Sequence, residues 1–126
     1  MERYIEYQKA SEVLFKDSEY NNCCTCLYYS ALHRMMYAIV HDPQHPRAYD
    51  DLNPLDENLH KRIFSSILNK ITNKRDEDII KDSFNGLFDL RHIADYNPDS
   101  LTQDDAFTAK QLHSSLMGVM RNRFPL

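Results

Sequence analysis

The 126-residue sequence predicts an all-α protein, an up-and-down bundle of about five helices. Three observations predict it. Only two glycines and five prolines are present, too few to punctuate the many short strands of a β protein. Leu, Ile, Met, Lys, Glu and Asp make up a large share of the chain, with no long valine or threonine alternation, a balance that favours helices over sheets. Apolar residues recur at helical rather than alternating spacing in five separable stretches. A chain of this length buries a single core without disulfides or metals, so residues 1–126 read as one domain.

The first helix spans Glu2 to Lys16, with Ile5, Ala10, Val13 and Leu14 set among charges, and Asp17-Ser18 supplies polar residues suited to starting the next. From Glu19 to Val40, the apolar stripe Cys24, Leu27, Tyr28, Ala31, Met35, Ala38 and Ile39 is widened by Tyr29, Met36, Tyr37 and Val40, which predicts the central helix. The Met35-Met36 pair reads as core filling. His41 to Pro54 holds Pro43, Pro46 and Pro54, which forbid a continuous helix and predict a long loop; the same prolines spoil the four-residue spacing of His41 and His45 as a metal pair.

Asp56 can cap a third helix whose stripe is Leu59, Ile63, Ile67 and Ile71. After Thr72 to Lys74, the acids Asp76, Glu77 and Asp78 suit the first turn of a fourth helix reaching Tyr96. The second and fourth helices are expected to be the two longest, packed together near Ala31 and Gly86. Gly86 costs about 1 kcal/mol relative to alanine inside a helix, so another helix is expected to cross closely there. Thr102, with Asp105 three residues on, resembles a capping box opening a fifth helix through Leu112, Leu116 and Met120.

Fifteen basic and nineteen acidic residues leave a formal charge of −4. That balance argues against a protein that coats nucleic acid with its whole surface, while a small basic site remains open. Cys23, Cys24 and Cys26 crowd one helical turn, unlike the spaced framework of a secreted disulfide domain, and three neighbouring sulfurs cannot face one ion tetrahedrally. They are expected to be reduced and metal-free. No leader-like start and no run approaching the ~20 apolar residues of a membrane span is present, so a soluble, cytoplasmic protein with no membrane partner is expected.

The stretch Leu90 to Ser100, LRHIADYNPDS, draws the functional reading. Arg91 continues the apolar line Ile80, Phe84, Leu87, so its guanidinium points at a packing surface and needs a partner. One reading is an intrahelical Arg91–Asp95 ion pair, with Tyr96 packing under the Asn97-Pro98 stop. The other is a polar site at a dimer cleft.

The order of Lys9-Ala10, Tyr28-Tyr29-Ser30-Ala31, a long loop, His60-Lys61 and then Arg91-x-x-Ala94-Asp95-Tyr96 resembles the HEPN superfamily. The similarity runs from about Tyr4 to Phe124. It is to stand-alone prokaryotic members of the kind encoded beside minimal nucleotidyltransferases. The resemblance implies a homodimer whose polar motifs face each other across a cleft, within a toxin–antitoxin or anti-phage defence module. Many such relatives are metal-independent endoribonucleases that use the RNA's own 2′-hydroxyl as nucleophile and need no cofactor. Their motif is an arginine and a histidine separated by four to six residues. Here Arg91 matches the arginine, but Asp95, Tyr96 and Asn97 provide no imidazole. Adjacent His92 lies about 100° round the helix.

The candidate catalytic residues are therefore Arg91, Asp95, Tyr96 and His92, with Arg91 holding phosphate and Tyr96 or His92 moving protons. Two alternatives stand beside ribonuclease activity. One is a non-catalytic module that docks a nucleotide or a partner protein in the same cleft. The other is modification of Tyr96 by a nucleotidyltransferase partner, against which a tyrosine that merely packs its ring must be weighed.

Overall fold

The computed structural model describes residues 2–42 and 57–125. Among them are five helices and no strand: α1 (Arg3–Lys16), α2 (Tyr20–Val40), α3 (Glu57–Asn69), α4 (Lys74–Tyr96) and α5 (Gln103–Arg123). The all-α bundle expected from periodicity is the observed fold. The expected loop with Pro43, Pro46 and Pro54, together with His45 and the Asp56 cap, lies outside the described residues.

Helix α2 packs against all four other helices, and α4 also packs on α5. Its centrality follows from its sequence, since Cys23, Cys24, Leu27, Tyr28, Ala31, Leu32, Met35 and Met36 are all buried and leave almost no polar face. The other helices contribute one stripe each: Leu59, Ile63 and Ile67 from α3, Ile80, Phe84 and Leu87 from α4, and Ala106, Ala109, Leu116 and Met120 from α5.

Local side-chain caps set the starts of two helices. The capping box at Thr102 is formed, with Asp105 N–H donating to the Thr102 hydroxyl and the Asp105 carboxylate accepting from Thr102 N–H. Helix α4 starts two residues before the acidic cluster because Asn73 caps it, accepting from Asp76 N–H at 3.1 Å.

Three expectations change. Asp17-Ser18 does not start α2 but ends α1: Ser18 sits in the left-handed region at φ 61°, and Glu19 N–H donates to Leu14 O at 2.8 Å. Helix α5 equals α2 at 21 residues, with α4 the longest at 23. The helix that closes on Gly86 is α5 rather than α2. A Cβ built there would lie 2.7 Å from Leu112 Cδ1.

The end of α4 is anchored from the start of α2. Asn21 Nδ2 donates to Ala94 O (3.3 Å) and Asn97 O (3.1 Å), while its Oδ1 accepts from Leu101 N–H at 3.1 Å. One amide thus ties off the carbonyls left over where Pro98 stops the helix, and fixes the turn that carries Arg91 to Tyr96.

Candidate functional site at the end of helix α4

The partner that Arg91 requires lies within the same chain. Its side chain is only 13% exposed, and Nε donates to Asp95 Oδ2 at 3.0 Å. The guanidinium carbon lies 5.1 Å from the ring centroid of Tyr28, 5.6 Å from Tyr29 and 5.9 Å from Phe88. The rings come from α2 and α4, and each offers a π face to the cation. Because the aromatic seat already accounts for a half-buried arginine on an apolar line, Arg91 by itself no longer argues for a second subunit.

Behind the rings stands a histidine that the local motif does not contain. The Tyr28 hydroxyl and His60 Nδ1 are 2.8 Å apart, and His60, from α3, is buried. Its ring also meets Tyr29 edge-on at 6.1 Å. Tyr29 in turn stacks on Tyr7 at 5.8 Å, and Tyr7 on His33 at 5.3 Å. Burial, then the charge of Arg3 and the nearby His60, lower the His33 pKa to about 4. His33 is therefore neutral near pH 7 and adds no positive charge behind Arg91.

The outer side of the same helical turns is open. His92 is exposed, with its ring 4.5 Å from Tyr96 and 6.2 Å from Phe88. Tyr96 is 72% exposed, so it does not pack under the Asn97-Pro98 stop. Of the four residues singled out from sequence, Arg91 and Asp95 are joined directly, and His92 and Tyr96 are joined to each other on the rim. Phe88 borders both pairs.

Tyr28, Tyr29 and His60 are the members that the α4 motif misses. The sequence offered Tyr28-Tyr29 and His60 only as steps in the ordered resemblance, with nothing to say that they meet under Arg91. Chemically, the site offers a fixed guanidinium, a carboxylate that orients it and competes with any bound anion, and two exposed rings able to stack or move a proton.

The three cysteines are free thiols on α2, remote in kind from this chemistry. Burial pushes the Cys23 and Cys24 thiols up to about 11 and about 12, so both stay protonated and poorly nucleophilic near neutrality. Among the described residues, no cluster of His, Cys, Asp and Glu is arranged to hold a metal ion. None of the described helices is long and apolar enough to cross a membrane. Compared with protein-family models, with curated proteins and with solved structures, the chain matches none.

Proposed function

We propose that this chain is a small HEPN-type component of a prokaryotic toxin–antitoxin or anti-phage module. In this reading it works in the cytoplasm as a homodimer and engages RNA at the C-terminal end of α4. The observation that carries the reading is the seating of Arg91: a guanidinium held over Tyr28, Tyr29 and Phe88, with exposed His92 and Tyr96 on the adjoining turn. A planar cation fixed beside accessible rings suits a phosphate flanked by unstacked bases. Ile93, 39% exposed, and Tyr96 give the same end of α4 an apolar edge for a second copy.

In the catalytic form of this reading, the RNA's 2′-oxygen attacks the neighbouring phosphorus and the 5′-oxygen leaves, giving a 2′,3′-cyclic phosphate. Arg91 offsets the charge on the phosphoryl oxygens, and His92 or Tyr96 takes or returns the proton. Incubation of labelled single-stranded RNA with the protein in EDTA tests this. A cyclic-phosphate product that disappears with Arg91→Lys is the expected result.

A second reading is favoured by the exposure of Tyr96. Its phenol oxygen attacks the α-phosphorus of ATP in the active site of a nucleotidyltransferase partner, pyrophosphate leaves, and the tyrosine carries the nucleotidyl group. Intact mass after incubation with that enzyme and ATP reads it directly, with Tyr96→Phe as control. If RNA is neither cleaved nor Tyr96 modified, a binding role for the same surface remains.

A further inference from the structure

Helices α1 and α5 both pack on α2 but make little contact with each other, which leaves a trough floored by α2. The trough opens into a cavity of about 560 Å³, within the roughly 300–1,000 Å³ usual for small-molecule sites. Leu27, Met117 and Tyr4 supply apolar wall, while Arg34, Lys110 and Arg121 bring three cations against one lining carboxylate, Glu12.

Arg34 is the unusual member, because it is a guanidinium only 4% exposed on a helix whose buried residues are mostly apolar. Its Nη2 donates to Met120 O at 3.3 Å and Phe124 O at 2.7 Å, closing the C-terminal turn of α5. Tyr4 covers the guanidinium at 5.6 Å. Nη1 is equally buried and has no hydrogen-bond partner among the described residues. A buried charged donor left without a partner is costly to the fold. Burial and the nearby Arg121 both work against the charge on Arg34, with the Tyr4 and Tyr37 side chains only partly offsetting them.

We infer that this cavity binds a monocarboxylate with an apolar body, its carboxylate meeting the Arg34 guanidinium on the side of Arg121 and its hydrocarbon running along Leu27 and Met117. Part of the guanidinium is already committed to α5, and the apolar wall of Leu27, Met117 and Tyr4 favours an anion that carries a hydrocarbon body over an inorganic one. The cavity is also larger than a bare inorganic ion requires. It is walled by different helices from the Arg91 site, and the inference does not depend on the function proposed for that site.

The test is calorimetric titration of the purified protein with octanoate, octanol and inorganic phosphate. Saturable octanoate binding is expected, with octanol and phosphate each weaker by about tenfold or more. Because Arg34→Met can fail to fold, the deciding variant is the double change Lys110→Gln and Arg121→Gln at the more accessible lining positions, which should weaken octanoate by about tenfold and leave octanol unchanged. No saturable octanoate binding, equal binding of octanol, tighter binding of phosphate, or indifference to the double change each overturns the inference.

Discussion

The Tyr28 hydroxyl stands 2.8 Å from His60 Nδ1, and both groups are buried, so a side chain of α2 and one of α3 are joined beneath the ring that carries Arg91. Removing the hydroxyl as Tyr28→Phe keeps the ring and its cation contact but takes away one partner of a buried imidazole. The expected cost is about 1–2 kcal/mol in urea unfolding, with helix content unchanged. An unchanged unfolding midpoint would show that this bond contributes nothing net.

Gly86 tests the closeness of α4 and α5. Alanine there gains helix propensity, about 1 kcal/mol, but its methyl meets the flexible end of Leu112, so the net change should stay within about 1 kcal/mol of zero. Gly86→Val has no such room and should lose about 1–3 kcal/mol by overpacking. Thermal melts of the two variants separate these outcomes, and a valine variant as stable as alanine would mean the helices stand further apart.

Acid should destabilise the bundle before its carboxylates titrate. His33 and His113 both have pKa values lowered from 6.5 to about 4, in each case chiefly by burial. Ser30 donates its hydroxyl to Tyr4 O and so accepts from His113 Nε2, which fixes that ring in a neutral tautomer. The unfolded chain takes up protons below about pH 6.5 that the folded chain refuses until about pH 4. Stability is therefore full above pH 6.5 and falls through that window, by up to ~1.4 kcal/mol per pH unit for each histidine. Urea midpoints measured between pH 7 and pH 4 should show the decline, and His113→Gln should make it shallower.

The helices were legible because each buries a stripe at helical spacing, and the Thr102–Asp105 box and the Arg91–Asp95 pair were legible because both are local, three and four residues apart. What needed the folded chain was contact between distant segments. The ring seat under Arg91 joins α2 to α4, and His60 reaches it from α3, so no window of sequence contains the set. Leu112 of α5, not a residue of α2, closes on Gly86, since a glycine announces a close crossing without naming the neighbour. Tyr96 is exposed as the last residue of α4, and the turn that follows it is held by Asn21 from the start of α2, a contact between distant segments. Ser18 misled because serine at a chain turn serves equally as a helix start or as the left-handed stop of the helix before it.

The central claim is that the arginine seated over Tyr28 and Tyr29 is where this protein meets RNA, and it is tested most directly by RNA affinity in a form that cannot be cleaved. Fluorescence anisotropy with a labelled, fully 2′-O-methylated single-stranded RNA should show saturable binding by the wild type. Arg91→Lys keeps a positive charge but loses the planar fork, so affinity should fall about tenfold or more. Asp95→Asn, which leaves the rings in place, should change it far less. Binding that is absent in the wild type, or equally tight in Arg91→Lys with its fold intact by melting, would contradict the account.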